Sequence, residues 1–412
     1  MSVNTDNLAS QEEVTLKTVI TDYFAKIKAG DIGALPAFLG LISLGAVFTF
    51  SSQFFLTPRN LANLLTQAAP VIVIAMGLVF VLLLGEIDLS AGFASGVCGA
   101  TLVLLINDHH FPWFIALFIS IVVGVGLGWL MGMLVARLRI PSFVVTLSAF
   151  LAFQGILLLM AGEGGTISLQ DRFIIAVENN NLTPLQSWLF AIVGLGLYVG
   201  LGLNRLLHRR RKNLKSELFK IWLTKNVLLV VLGLGSTYVL NRQRGNPPNS
   251  SIKGMPIVVP VLLAILVAGT FVLNRTVFGR HLYAVGGNAE AARRSGINVR
   301  RVRTIAFMIC SGLAGVAGML FASISNSISP TTGGGTTLLY AVGAAVIGGT
   351  SLFGGKGKLR DAVLGGLVVA IINNGMGLLG FSSGTQYLVT GGVLLISASV
   401  DAISRKGANV SN

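Results

Sequence analysis

Two polar stretches interrupt an otherwise apolar chain, and they hold the residues whose types and spacing could do chemistry. The first runs from Gly85 to Gly92 and contains the carboxyl groups of Glu86 and Asp88 with the hydroxyl of Ser90. Carboxylates near membrane depth are costly and usually functional. The stretch is either a break in a membrane helix, with Asp88 as the N-cap of the next helix, or a plain inner loop.

The second polar stretch, residues 276–299, predicts a short helix over 289–295. Asn288 can cap its N-terminus, Glu290 lies in the first turn where the helix dipole favours an acid, and Gly296 suits a C-terminal stop. A helix this short is unstable alone in water, so it docks either on the chain's own loops or in a groove of a partner. The residues proposed for this contact are Gly286, Gly287, Asn288, Glu290, Ala291, Ala292, Arg293, Arg294 and Gly296.

The sequence contains no recognisable enzyme site. Residues 348–357 resemble a phosphate-binding loop, but Thr350 stands where its first Gly is required and Gly357 stands where its final hydroxyl is required. Four histidines and two distant cysteines provide no metal-ligand spacing. We therefore expect a chain that is not an enzyme and holds no cofactor or metal of its own.

The elements that must position these stretches are membrane helices. Hydrophobic residues make up 53% of the 412 residues and charged residues only 11%, whereas a soluble domain carries about a quarter. A span needs about 20 apolar residues, and the chain offers ten to twelve such runs. The segments are too long for barrel strands, so an all-α polytopic fold is predicted. The candidate spans lie near 36–56, 67–85, 91–107, 112–135, 143–161, 186–206, 223–240, 255–274, 304–324, 338–352, 361–379 and 385–400.

The distribution of charge predicts how the spans are oriented. The net charge is +15, and most of the 30 Lys and Arg residues fall on the inner side if twelve spans begin with the N-terminus inside. This predicts cytoplasmic tails at 1–35 and 401–412 in a protein of the inner (cytoplasmic) membrane. The basic residues occupy loops without an aromatic stacking platform, so nucleic acid is not expected as a partner, whereas membrane lipid is.

Two spans carry glycines at four-residue spacing. Gly124, Gly128 and Gly132 share one face of their helix, as do Gly196 and Gly200. Small residues at this spacing let helix backbones approach closely. We therefore interpret both sets as packing faces rather than as parts of a substrate pathway.

The polar stretches resemble those of permease subunits of bacterial ABC importers of the ribose, xylose and galactose type. The matching motifs are residues 86–90, Glu-Ile-Asp-Leu-Ser, and residues 286–299, Gly-Gly-Asn-Ala-Glu-Ala-Ala-Arg-Arg-Ser-Gly-Ile-Asn-Val. Further matches occur at 58–61, 140–147 and 346–352, so the resemblance covers roughly residues 50–400. Within the family, an added block at 186–245, predicted to be an extra helical hairpin, is similar to the xylose-type permeases. The outer segment 241–256 is longer and more basic here.

The resemblance implies a permease domain over 36–400 that works as half of a transporter. Two copies would pair around the pathway, and an ATPase that binds ATP and Mg²⁺ would dock on the cytoplasmic coupling loop 275–303. A sugar-binding protein would deliver substrate outside. The implied cargo is a monosaccharide, with D-xylose favoured over another pentose or a hexose.

Two other functions remain open at this point. An ion-coupled secondary sugar transporter would use Glu86 and Asp88 as proton carriers. A channel or scaffold would need no binding protein. A requirement for ATP and a second subunit separates the importer from both.

Residues that line a sugar pathway are sought among polar and aromatic side chains in apolar spans. Hydrogen-bonding groups and flat rings are what a sugar requires of its site. For each residue taken alone, helix packing is the competing interpretation. The candidates are Glu86, Asp88, Ser90, Trp129, Phe153, Gln154, Asn373, Asn374 and Gln386.

Overall fold

A computed structural model describes residues 33–162, 165–212, 219–245 and 251–410, so the predicted N-terminal tail lies almost wholly outside the described residues. The protein is helical, as predicted. Fifteen helices and two short strands occur within the described ranges. The helices are α1 Leu35–Ser51, α2 Pro58–Leu82, α3 Ala91–Asn107, α4 Trp113–Arg137, α5 Ser142–Ala161, α6 Arg172–Asn179, α7 Pro184–Arg211, α8 Phe219–Leu240, α9 Val258–Arg275, α10 Val277–Gly287, α11 Ala289–Arg294, α12 Val299–Ser325, α13 Thr336–Ile347, α14 Leu359–Leu378 and α15 Ser383–Val410.

Each of the twelve predicted spans coincides with one helix. Eight of these helices (α2, α4, α5, α7, α8, α9, α12 and α14) are long and apolar enough to cross a membrane by themselves. Three apolar helices, α1, α3 and α13, are shorter. The 12 residues of α13 reach only about 18 Å, which is less than the hydrocarbon thickness of about 30 Å. The last helix, α15, continues to Val410 and so extends into the predicted tail 401–412.

The core of the molecule is formed by α2 and α12 with α3, α4 and α14 around them. In the most apolar segment of α2, 78% of the residues are buried, against 11% for α7, α8 and α9. Gly124, Gly128 and Gly132 of α4 confirm the packing interpretation, because a Cβ at each would overlap the backbone of α12 at Ser311, Phe307 and Thr304 respectively.

The packing interpretation of Gly196 and Gly200 is wrong. A Cβ at either position would meet no described atom within 4 Å. The predicted hairpin is present as α7 and α8, and it has its own contacts at other glycines. A Cβ at Gly202 would lie 3.2 Å from the indole nitrogen of Trp222, and one at Gly233 would lie 3.0 Å from Leu195.

The connections gather at two opposite ends of the helices. The upper end carries the strands β1 Ile167–Ser168 and β2 Ser327–Ile328, which pair antiparallel with Ile167 opposite Ile328, together with α6. The lower end carries the connections 83–90, 276–298 and 348–358. The Gly355 amide donates to the Leu83 carbonyl at 2.8 Å there, and the Tyr283 hydroxyl donates to the Gly357 carbonyl at 2.8 Å. Both predicted chemical stretches therefore lie at one end of the protein.

Candidate functional site

The short helix α11 has the local structure that its sequence predicts. The Asn288 side chain accepts a hydrogen bond from the Ala291 amide at 2.9 Å, which is the expected N-cap. Gly296 adopts φ +84°, the left-handed conformation that ends helices and that glycine takes without strain. The helix ends at Arg294, one residue before the predicted end.

A second helix in the same loop was not predicted. Helix α10 runs from Val277 to Gly287, and the Thr276 hydroxyl caps it by accepting from the Gly279 amide at 3.1 Å. The signal available in the sequence is Thr276, a residue type favoured at N-caps, directly before Val277 and Phe278. Asn288 both ends α10 and caps α11, so the two helices join without a linker.

The exposed side of α11 is charged, and its apolar side is covered by the chain itself. Ala292 is buried, while Glu290, Arg293 and Arg294 are exposed. Glu290 pairs with Arg293 at 2.6 Å and with Arg294 at 3.3 Å. The hydrogen bond from Arg293 holds the pKa of Glu290 below its usual value. Ala292 packs inward on the chain itself, and the surface that α11 leaves exposed includes Ala291 and the charged side chains.

The two glycines before α11 have different surroundings. A Cβ at Gly286 would overlap the Leu83 carbonyl oxygen and lie 2.9 Å from the Gly355 nitrogen. A Cβ at Gly287 would meet no described atom within 4 Å, and Gly287 is exposed. Gly286 is thus a packing contact between α10 and the connections beneath it, whereas Gly287 belongs to the surface.

The stretch Gly85–Gly92 connects α2 to α3 and is mostly covered: Gly85 is exposed, whereas Asp88 and residues 90–92 are buried. Asp88 and Ser90 have no exposed surface. Asp88 accepts from the Ser90 amide at 2.9 Å and the Ser90 hydroxyl at 2.6 Å, and the N-cap position of α3 is held by Ser90. The N-cap position predicted for Asp88 is therefore occupied by Ser90, and the Asp88 carboxylate accepts from the amide of that residue. Irregular backbone at such a place is tolerated since protein surrounds it.

Glu86 connects this buried stretch to α12. Its carboxylate lies 3.2 Å from the Nε of Arg303, near the start of that helix, and both side chains are mostly covered. The Ile87 carbonyl accepts from the Thr146 hydroxyl of α5 at 3.2 Å. The 83–90 connection therefore contacts α5, α12 and the 353–355 turn, and α10 packs onto it at Gly286.

The remaining pathway candidates do not converge on one cavity. Trp129 of α4 is half-exposed. Phe153 and Gln154 of α5 point apart, because Phe153 is buried and Gln154 is exposed. Gln386 donates to the backbone carbonyl of Phe381 at 3.0 Å. For these residues the contacts favour packing and local bonding over a shared site.

The adjacent residues Asn373 and Asn374 differ sharply. Asn374 exchanges two hydrogen bonds with Asn60 of α2, at 2.8 and 2.9 Å, so its amide is fully engaged in holding α14 against α2. The Asn373 oxygen is buried and has no hydrogen-bond partner in the described part of the chain. The Tyr340 hydroxyl of α13 faces the Asn373 amide, and Tyr387 of α15 lies close by. Tyr340 and Tyr387 were not among the predicted residues, although they are tyrosines in otherwise apolar helices.

Comparison with known proteins identifies the family. The family described as "Branched-chain amino acid transport system / permease component" matches residues 60–398. The xylose transport system permease protein XylH of Escherichia coli (strain K12) is 32% identical over 401 residues, 97% of this chain and 99% of that protein. The chain belongs to the permease family of sugar ABC importers.

Other relatives of the permease agree. The xylose transport system permease protein XylH of Haemophilus influenzae is 34% identical over 383 residues, 90% of this chain and 97% of that protein. The ribose import permease protein RbsC of Escherichia coli (strain K12) is 29% identical over 379 residues, 92% of this chain and 96% of that protein. No solved structure matches the chain.

Family membership and the apolar helices together describe a multi-pass inner-membrane permease of a monosaccharide importer. Permease subunits are not enzymes themselves. They operate in ABC transporters that also contain an ATPase and a binding protein.

Proposed function

We propose that this chain forms the transmembrane half of an ATP-driven importer of D-xylose. Two copies pair around the sugar pathway, an ATPase docks on the lower end and a sugar-binding protein docks on the upper end. Support for D-xylose comes from two relatives named as xylose permeases that align with 90% or more of this chain. Because the ribose permease relative is 29% identical to this chain, ribose is tested as an alternative cargo.

The coupling role rests on a series of contacts that lead from α11 to the packed centre of the protein. Its exposed Glu290 and Arg293 suit charge-assisted contacts to an ATPase. Movement of α11 passes directly to α10, because Asn288 joins the two helices. Gly286 of α10 rests on the 83–90 connection, and Glu86 ties that connection to α12. A displacement at the surface is thereby delivered to α3 and α12 in the packed centre.

The orientation follows from the same assignment. The lower end faces the cytoplasm, and both termini lie on that side, in accord with the Lys and Arg of the 205–225 and 275–303 segments. ATP and Mg²⁺ are held by the ATPase. A reporter enzyme fused after Val410 and one inserted at residues 246–250 should report opposite sides of the membrane, and reports from the same side would contradict this orientation.

The coupling proposal is tested in proteoliposomes with the cognate ATPase and binding protein. Glu290→Ala combined with Arg293→Ala should lower ATP-driven sugar uptake by roughly tenfold, the loss expected for one or two charge-assisted contacts. The amount of inserted permease should not change, because both side chains are exposed. Arg300→Gln, an exposed charge in the same segment but on α12, is the matched control. Equal uptake by the double variant and the control would contradict the docking role of α11.

The sugar is tested separately by competition. Excess unlabelled D-xylose should abolish uptake of labelled D-xylose, whereas excess D-ribose should leave most of it. Persistence of uptake with an uncoupler, together with a strict need for ATP, excludes ion coupling. Stronger competition by D-ribose than by D-xylose would identify ribose as the cargo, and the coupling role proposed for α11 would be unaffected.

A further inference from the structure

Helix α13 begins inside the protein rather than at one of its ends. The segment 329–335 leads to it from β2 at the upper end and runs along α3, where a Cβ at Gly92 would overlap the Gly333 carbonyl oxygen. From there α13 descends to the 348–358 connection of the lower end. Because α13 is about 18 Å long, its first residue lies well inside a hydrocarbon layer about 30 Å thick.

Polar groups of the segment 329–335 are exposed at this depth. The Ser329 hydroxyl lies 3.1 Å from the hydroxyls of Thr331 and Thr332. Thr331 and Gly335 are exposed on the surface of the chain. Irregular backbone at membrane depth is tolerated only where protein or a water-filled cavity covers it. This side of the molecule therefore borders something other than lipid.

The antiparallel packing of α13 and α14 determines which side chain lies beside the start of α13. A Cβ at Gly365 would overlap the Ala344 carbonyl oxygen, and one at Gly348 would overlap the Asp361 carbonyl oxygen. As the position on α13 moves up by four residues, the position on α14 moves on by four. Continuing this pairing places Asn373 of α14 at the level where α13 begins.

Asn373 keeps an unused hydrogen-bond acceptor at that level. Its Oδ1 is buried and has no hydrogen-bond partner among the described residues, which include the neighbouring connections 329–335 and 379–382. The Tyr340 hydroxyl faces the Asn373 amide, and Tyr387 of α15 lies beside Tyr340 with 49% of its surface exposed. A buried oxygen without a donor costs about 1–3 kcal/mol, so a ligand that donates a hydroxyl proton is favoured here.

We propose that Asn373, Tyr340 and Tyr387 form a sugar-binding site within the translocation pathway. This site rests on the import function proposed above and names the residues that the sugar contacts. A sugar hydroxyl donates to the Oδ1 of Asn373, a second hydroxyl shares a hydrogen bond with the Tyr340 hydroxyl, and the exposed ring of Tyr387 packs against the sugar ring. All three side chains offer hydrogen bonds or a flat face without a carboxylate or an ammonium group, which suits a neutral monosaccharide.

The first test determines whether Tyr387 faces water or lipid. Cys98 and Cys310 are both buried, so a charged thiol reagent can label a cysteine introduced elsewhere. In the transporter assembled with its ATPase, Tyr387→Cys should react roughly tenfold faster than the control Leu388→Cys, because the reactive thiolate forms in water and not in lipid. Leu388 is the next residue of α15 and is 78% exposed. D-Xylose delivered by the binding protein should slow labelling of Tyr387→Cys.

Two labelling results would overturn the site. Equally slow labelling of Tyr387→Cys and Leu388→Cys, with and without ATP, would place Tyr387 against lipid. Labelling of Tyr387→Cys that D-xylose does not slow would show that the sugar does not pass this side chain.

The second test measures the amount of sugar taken up per ATP hydrolysed in proteoliposomes. Asn373→Leu removes the acceptor and should lower this ratio roughly tenfold, the effect of one lost hydrogen bond of about 1.4 kcal/mol. ATP hydrolysis stimulated by the loaded binding protein should persist, because α11 is unchanged. Asn204→Leu, an exposed amide of the hairpin, is the matched control and should keep the wild-type ratio. If Asn373→Leu does not purify, Tyr387→Leu provides the same measurement at an exposed side chain.

The outcomes of the second test separate this site from the function on which it rests. A wild-type ratio in Asn373→Leu would overturn the site, and so would an equal loss of uptake and hydrolysis, since that indicates a general structural defect. Neither result affects the assignment of the chain as an importer subunit. Failure of the wild-type transporter to take up any monosaccharide would instead refute the proposed function.

Discussion

The centre of this permease and its added hairpin carry the same small-residue pattern with opposite outcomes. Gly124, Gly128 and Gly132 of α4 bring that helix against the backbone of α12, whereas Gly196 and Gly200 of α7 face open space. A four-residue repeat of glycine permits a close approach but does not supply the helix that approaches. In the centre that partner is α12, and at the hairpin the corresponding face is left uncovered by the chain.

The largest difference in stability between the centre and the hairpin is expected for a substitution at Gly128 of α4. A Gly128→Val variant should destabilise the folded permease by about 3 kcal/mol or more, because its side chain would overlap the backbone of α12 at Phe307 and Met308. Gly200→Val places the same side chain in open space and should change stability by less than about 0.5 kcal/mol. Thermal unfolding in detergent measures both. Equal melting temperatures would refute the difference between centre and hairpin.

The next effect concerns the ion pair that joins the 83–90 connection to α12. Removing one partner, as in Glu86→Gln, should cost about 2 kcal/mol. This is below the 3–5 kcal/mol of fully buried pairs, because the Arg303 side chain keeps 30% exposure. A double-mutant cycle with Arg303→Gln measures the coupling energy, and sugar uptake is recorded in parallel. Additive single effects would show that the pair does not link the two elements.

A smaller effect is expected where α2 meets α14. Asn60→Ala or Asn374→Ala should each cost about 1–2 kcal/mol, since either change removes the two hydrogen bonds that join these amides. The double change Asn60→Leu, Asn374→Leu should cost less than the sum. The exposed Asn204→Ala of the hairpin is the peripheral control, and unfolding midpoints compare them. If Asn204→Ala loses as much stability as Asn60→Ala, specific contacts do not account for the stability of the centre.

The smallest effect lies on the exposed surface of α11. Because Arg293 lowers the pKa of Glu290, their pairing stabilises the helix above the ordinary Glu pKa and is lost as pH falls through the lowered value. Arg293→Gln should therefore raise the pKa of Glu290 toward its ordinary value. Carbon-13 NMR of labelled glutamate, assigned with Glu290→Gln, follows the titration. Arg300→Gln should leave the pKa of Glu290 unchanged. A shift in that variant would mean that general surface charge, rather than the pair with Arg293, sets this pKa.

Local features were predictable because their causes lie within a few residues. The twelve apolar runs become helices since backbone groups in lipid must be bonded within each segment. The cap of α11 at Asn288 and its stop at Gly296 follow from neighbouring amides and one backbone angle. Helix α10 was not predicted although its cap is equally local, because the three glycines among its 11 residues lower its intrinsic helix propensity.

Other features depended on residues far apart in sequence. Asp88 and Ser90 are buried because the connection 83–90 packs against α5, α10 and α12, and no neighbouring residue in the sequence predicts those contacts. Asn374 is engaged because Asn60 lies opposite it, 314 residues away. Strands β1 and β2 pair across more than 150 residues, and neither is long enough to show an alternating pattern.

By itself, the sequence determined that this protein is a helical membrane permease, where its spans run and which short helix caps its polar loop, because composition and local hydrogen bonding decide those properties. Tertiary structure alone decided which glycines pack and which polar side chains are engaged. Those outcomes depend on which helix lies opposite each residue, and a one-dimensional pattern of small and polar residues does not contain that partner.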